Sequence, residues 1–165
     1  MSRIIKTITG LAVAVLLLNV ALAQGDGINS SDLTWGPAPD VFPPGAELAV
    51  LQGDPGQAML VTLRLRLPAG YEIPAHWHTA EEDVTVLSGS LNFGMGDVLD
   101  KEAGTLLTPG GFVALAGNMN HFVWTDEDTV VQISLNGPFD MTYADPSQDP
   151  RSKAMNPVAA SKMRP

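Results

Sequence analysis

The sequence predicts an all-β fold, an antiparallel sandwich or barrel. Three observations carry this. Apolar and polar residues alternate over short stretches, clusters of Gly, Pro, Asp and Ser separate those stretches, and a helical period is almost absent. The clearest stretch is residues 58–67. There Met59, Val61, Leu63, Leu65 and Leu67 fall on one face and Leu60, Thr62, Arg64 and Arg66 on the other, the pattern of a half-buried strand.

The other elements follow in order. Residues 24–45 are rich in Gly, Asp and Pro, and Pro37, Pro39, Pro43 and Pro44 forbid a helix there. This predicts an extended N-terminal arm with Leu33 and Trp35 as anchors. Residues 46–52 form a short apolar strand, closed by a turn at residues 53–56. After residues 58–67 the chain breaks at Pro68-Ala69-Gly70. Residues 71–78 are extended, with Pro74 tolerable near a strand start or an edge. Residues 83–87 and 91–95 are strands around a turn at residues 88–90. Gly94, Gly96 and Asp97 mark loops, and residues 98–103 predict a single helical turn. Residues 105–107 and 112–115 are short strands around Pro109-Gly110-Gly111. Residues 121–125 and 129–135 are strands joined by the acidic turn Asp126-Glu127-Asp128, and residues 138–143 form a last edge strand. From residue 144 to 165 the chain becomes polar and reads as a C-terminal tail, partly disordered. The β domain thus spans residues 46–143.

Residues 1–23 stand apart from the domain. Arg3 and Lys6 precede an apolar run at residues 8–20, and Ala21-Leu22-Ala23 precedes Gln24. That is the pattern of a secretory signal peptide. The rival, an uncleaved anchor, would need an apolar run of about 20 residues. Cleavage implies an exported protein, periplasmic or extracellular, with no membrane contact afterwards. It also removes two cations and no acid, so the net charge of −9 becomes −11. Such a surface argues against nucleic acid and anionic membranes as partners. The absence of cysteine removes disulfides, thiolate catalysis and thiolate metal ligands together.

All three histidines of the chain lie in two of these stretches. His76 and His78 are two residues apart on a strand and so point the same way, with Trp77 turned out. A turn through residues 79–81 brings Glu82 beside them, and His121 opens a strand that antiparallel pairing can lay against the first pair. Three imidazoles and one carboxylate suit one divalent transition metal: zinc, iron, manganese, nickel or copper. Calcium or magnesium would demand more oxygen ligands. Each residue also has an ordinary reading. An H-x-H pair arises on exposed strands, Glu82 lies within an acidic run, and a lone core histidine can simply be hydrogen-bonded.

The frame around these residues resembles a known family. Gly70, five residues, His76-x-His78, three residues, Glu82, six residues and Gly89 match the first motif of the cupins. Gly110, five residues, Ala116-Gly117-Asn118, two residues and His121 fit the second. There Ala116 replaces the usual proline, Asn118 the usual glycine, and Thr125 the asparagine often found four residues after the histidine. Asn tolerates the left-handed backbone the glycine position requires. The resemblance covers about residues 46–143 and extends to small exported single-domain cupins and to the metal-binding cupin domain of a zinc-dependent anti-sigma factor. It implies a jelly-roll barrel with His76, His78, Glu82 and His121 as metal ligands.

It also implies two classes of function. One is a metal-dependent enzyme of dioxygenase or isomerase type acting on a small molecule. The other is a module that binds metal or a small ligand without turnover. Glu81 or Asp83 would serve as acid or base if aimed inward. Phe93, Met95 and Met141 are candidate wall residues, and Gln132 and Ser134 candidate hydrogen-bonding groups. Arg64 and Arg66 are the close cation pair of the domain, so anionic substrates require that pair to face inward. Cupins often pair as homodimers; Phe122 and Trp124, opposite in direction to His121, are candidate dimer or arm contacts, with packing under a loop as the alternative.

Overall fold

The alternating stretches become eleven strands in two antiparallel sheets in a computed structural model, which describes residues 27–154. The expected signal peptide and the end of the tail lie outside the described residues. The larger sheet contains β1 (Gly36–Pro37), β2 (Glu47–Gln52), β3 (Leu60–Leu67), β5 (Glu82–Ser88), β8 (Phe112–Leu115) and β10 (Thr129–Asn136), in the order β1-β2-β3-β10-β5-β8. The smaller contains β4 (Glu72–Trp77), β6 (Leu91–Met95), β7 (Thr105–Leu107), β9 (His121–Trp124) and β11 (Thr142–Tyr143), in the order β11-β4-β9-β6-β7. These are the two antiparallel sheets the alternation predicts, in the jelly-roll arrangement the cupin resemblance implies. The sheets are not closed into one hydrogen-bonded barrel, however. Consecutive strands such as β7 and β8 pair into different sheets, so the chain crosses between layers at turns.

Register explains the core. Along β10, Val131, Ile133 and Leu135 face Leu65, Leu63 and Val61 of β3 on one side and Val86, Val84 and Glu82 of β5 on the other. All but Glu82 are buried apolar residues, and they fill the space between the sheets. Gln132 and Ser134 alternate with them and therefore lie on the outer face. Gln132 Oε1 accepts from Arg64 Nε at 3.2 Å, and the Ser134 and Thr62 hydroxyls are 3.4 Å apart. The expectation that Gln132 and Ser134 would meet a ligand inside is thus corrected by strand parity. Arg64 and Arg66 share that outer face. Arg66 pairs with Glu47 at 3.0 Å and stacks over the Trp35 ring at 4.0 Å.

The smaller sheet has a second apolar layer on its outer face. Phe122 and Trp124 are buried there with Ala75, against Leu99 and Ala144. They are covered within the chain itself, so their expected role as dimer or arm contacts is corrected in favour of packing under a loop. The fit is tight at two glycines. A Cβ on Gly94 would lie 2.4 Å from the Phe122 ring, and one on Gly104 would lie 2.0 Å from the Trp124 ring. Gly94 accordingly stands inside β6 rather than in the expected loop. Replacing Gly94 by Ala is expected to lower unfolding stability by about 1–3 kcal/mol, as overpacking does, and a denaturant midpoint equal to that of wild type would refute this contact.

The ends depart from the sequence reading in detail. The helical turn expected at residues 98–103 is a 3-10 turn at Lys101–Ala103, and another 3-10 turn stands at Ser30–Asp32 ahead of the prolines. The last edge strand is only Thr142–Tyr143. Beyond it the chain is held against the domain. Ala144 N donates to Ala75 O at 2.8 Å, and Arg151, on the short helix α1 (Pro150–Ala154), donates to Met141 O at 3.3 Å.

Candidate metal centre

Antiparallel pairing of β4 and β9 sets His76 directly opposite His121. A β-bulge makes this possible. Ile73 faces Val123 and His76 faces His121, so β4 carries two residues, Pro74 and Ala75, where β9 carries one. Strict alternation from the inward Ile73 would turn Ala75 inward and His76 out. The extra residue reverses the parity, and Pro74, with no N–H to give a ladder, suits the bulge. His78 follows at the end of β4. The turn after it returns the chain to the other sheet, where Glu82 begins β5 in the inward row between Leu115 and Leu135.

A second turn locks this one. Asn118, at φ 62, adopts the expected left-handed backbone, and its N–H donates to His78 O at 2.7 Å. Beside it Gly117 lies so close that a Cβ would sit 2.4 Å from Thr79 O. Sequence reasoning missed Asp140, which holds the same turn from the far side. Its Oδ1 accepts from Thr79 N at 2.8 Å, its other carboxylate oxygen accepts from the Thr79 hydroxyl, and its carbonyl accepts from His78 Nδ1. Nothing in the spacing of Asp140 marks that role; only the fold brings it there. Thr125, which stands where the second motif often has asparagine, is buried. Its hydroxyl donates to Pro68 O at 2.8 Å and ties β9 to the chain before β4.

All three imidazoles are oriented by the same device. Nδ1 of His76 donates to Pro74 O at 2.7 Å, Nδ1 of His121 to Met119 O at 3.0 Å, and Nδ1 of His78 to Asp140 O. A carbonyl can only accept, so each Nδ1 carries the proton and each Nε2 presents its lone pair. One ligand atom from each ring lies within 4.8 Å of the other two. The Glu82 carboxylate is 3.5 Å from His78 Nε2 and 3.7 Å from His121 Nε2. His76, His78 and His121 thus form one cluster, with the Glu82 carboxylate beside two of its three rings.

The electrostatics at this point would suit a cation. All four side chains are buried. Desolvation lowers His76 well below its ordinary range, helped by the neighbouring rings of His121 and His78. Burial likewise lowers His78 and His121 and raises Glu82 to about 7. The rings are thus neutral near pH 7, the state in which imidazole binds metal. Among the described residues His78 Nε2 is buried with no hydrogen-bond partner, a costly state for a polar atom that a metal ion on its lone pair would relieve. Neutral nitrogens plus one carboxylate, with no sulfur, fit a borderline divalent cation.

The rings of His76 and His121 and the carboxylate of Glu82 close one side of an interior cavity of about 30 Å³, room for about two waters. Among the described residues, its polar lining consists of His76, Glu82 and His121. Phe93 and Met141 line it as expected, whereas Met95 is exposed. Glu81 is exposed and Asp83 half-buried, and neither lines the cavity. The condition that one of them be aimed inward is not met: Glu82 points in, so its neighbours on either side point out. Phe42, from the N-terminal arm, is a wall residue that the sequence reading did not single out.

A family model described as a domain of unknown function, DUF4437, matches residues 26–142. The chain belongs to this family. DUF4437 is cupin-like, and solved structures similar to this DUF4437 protein are cupins of the double-stranded β-helix type. The polyketide cyclase RemF from Streptomyces resistomycificus superposes with a TM-score of 0.63 at 17% identity, over 82% of this chain and 96% of its own. The DMSP lyase DddQ from Ruegeria pomeroyi DSS-3 gives 0.54 at 22% identity, over 68% of this chain and 61% of its own. An RmlC-like cupin from Shewanella frigidimarina NCIMB 400 gives 0.52 at 12% identity, over 66% and 86%. At such identities the likeness is one of fold. No curated protein matches the sequence.

Proposed function

We propose that this DUF4437 protein is a metal-dependent cupin. In this reading Nε2 of His76, His78 and His121, with the carboxylate of Glu82, holds one divalent transition metal at which a small, uncharged molecule is bound and activated. The observation that supports it most is the shared tether: three Nδ1–H groups fixed to backbone carbonyls aim three lone pairs at one buried point. Bound there, the metal would act as a Lewis acid or, if redox-active, as a site for oxygen chemistry. The residues contribute the rest. The rings hold their tautomer, the apolar wall limits water, and Glu82 is, among the described residues, the one carboxylate in the lining. The outward Arg64 and Arg66 leave the cavity without a cation, which disfavours phosphorylated or dicarboxylate substrates. That two structural neighbours are named as a cyclase and a lyase agrees with chemistry on a small molecule but does not carry it.

A second reading, binding without turnover, is favoured by one observation: among the described residues, the cavity lining offers no acid or base apart from the cluster itself. Elemental analysis of protein purified without added metal, followed by oxygen-uptake and small-molecule turnover assays on the loaded protein, separates the two. The proposal fails if the purified protein neither contains nor takes up a transition metal at one equivalent.

Ligation by Glu82 has its own pH signature. Below pH of about 7 its carboxyl is protonated in the metal-free protein, so metal must displace that proton. The imidazoles, lowered below their ordinary value, add no such competition near neutrality. Metal affinity is expected to fall about tenfold per pH unit just below 7 and to be flat above it. Glu82→Gln should abolish that slope; equal affinity and equal slope in wild type and Glu82→Gln would remove Glu82 from the ligand set.

A further inference from the structure

The arm residue Phe42 belongs to a loop, residues 38–46, that joins β1 to β2. Its base is fixed by strand pairing of Pro37 with Glu47 and by Ala38 N donating to Ala46 O at 2.9 Å. Its tip enters the cavity. Phe42 is 4% exposed, lines the same space as His76, Glu82 and His121, and stacks on Phe139 at 5.8 Å with the rings 12° apart. Phe139 in turn packs against the His78 ring at 5.4 Å. Among the described residues, the hydrogen bonds from the body of the domain to this tip come from two tyrosine hydroxyls. Tyr71 donates to Pro43 O, and Tyr143 donates to Val41 O at 2.7 Å. On its outer side the loop borders an open groove of about 460 Å³, shared with Pro150 and Arg151. The tip is therefore a side-chain-held plug with free space behind it, not a strand of the sheet.

We propose that Phe42 decides which molecules reach the metal site. With the loop seated, the cavity of about 30 Å³ admits ligands of only a few non-hydrogen atoms. Planar apolar molecules of ring size enter only when Phe42 is removed or the loop swings into the outer groove. The site of action rests on the metal reading above; the plug itself does not.

The test compares wild type with Phe42→Ala, both as the full chain. Without metal, benzene is the probe: it is expected to raise the melting temperature of Phe42→Ala and leave wild type unmoved. With cobalt bound, azide and 4-phenylimidazole are titrated against the cobalt absorption bands. Azide should bind both proteins within about threefold, whereas 4-phenylimidazole should bind the variant at least tenfold more tightly. Equal 4-phenylimidazole affinity in the two proteins, or no benzene response in the variant, overturns the proposal. Failure to take up cobalt would instead sink the metal reading, and the benzene comparison would still decide the plug. If Phe42→Ala does not fold, Tyr71→Phe/Tyr143→Phe, which keeps both rings, decides. Wild type and this variant are compared for loss of metal to a chelator, expected at least fivefold faster in the variant, and for benzene uptake if no metal binds; no difference overturns the proposal.

Discussion

His121→Ala is expected to lower metal affinity by at least about 100-fold. The basis is geometric. His121 is the imidazole that pairs across strands with His76 and lies beside Glu82 at 3.7 Å, so its loss removes one of three nitrogens and the contact that gathers the other ligands. Losing a residue that merely orients a ligand already costs about 10–100-fold, and losing a ligand should exceed that. The change also opens a hole in a buried layer, so the variant will unfold more easily. The diagnostic quantity is therefore metal affinity measured by competition with a chromophoric chelator at a temperature where the variant is folded. Full occupancy at wild-type affinity would reject the assignment of His121.

Stripping the metal is expected to lower the melting temperature by roughly 10–15 °C. Metal that binds only the folded state at about a thousand times its dissociation constant stabilises by about 4 kcal/mol. In a domain of this size each kcal/mol moves the midpoint by several degrees. The structure suggests why the metal-free form is the weaker one. A His78 Nε2 without a partner among the described residues and a carboxyl forced up to about 7 lie in an otherwise apolar interior, and one cation would relieve both. Calorimetry before and after chelation, on protein whose metal content has been measured, checks this. Coincident melting curves would mean that the cluster contributes nothing to folding.

Much of the site was legible because its chemistry is rare in the chain. The three histidines fall into spacings that strand geometry can read, and Glu82 follows at hairpin distance. The left-handed turn at Asn118 was legible as well, since few residues other than glycine accept it. The supporting residues were not. Asp140 and Tyr143 act through contacts with residues 61 and 102 positions away, and no local pattern encodes such distances. Gln132 and Ser134 were misplaced because alternation shows that two residues share a face without showing which face is inside.

The order of strands and turns, the apolar row from Val61 to Leu67, and the identity of the four clustered side chains belong to the chain's own pattern, because period two and turn chemistry are local properties. Three matters were decided only in three dimensions: the bulge at Pro74 that turns His76 inward, the carbonyls that set each ring's tautomer, and the seating of Phe42 over the cavity. Each depends on which segments come to lie together, and that follows from burying all the apolar faces at once.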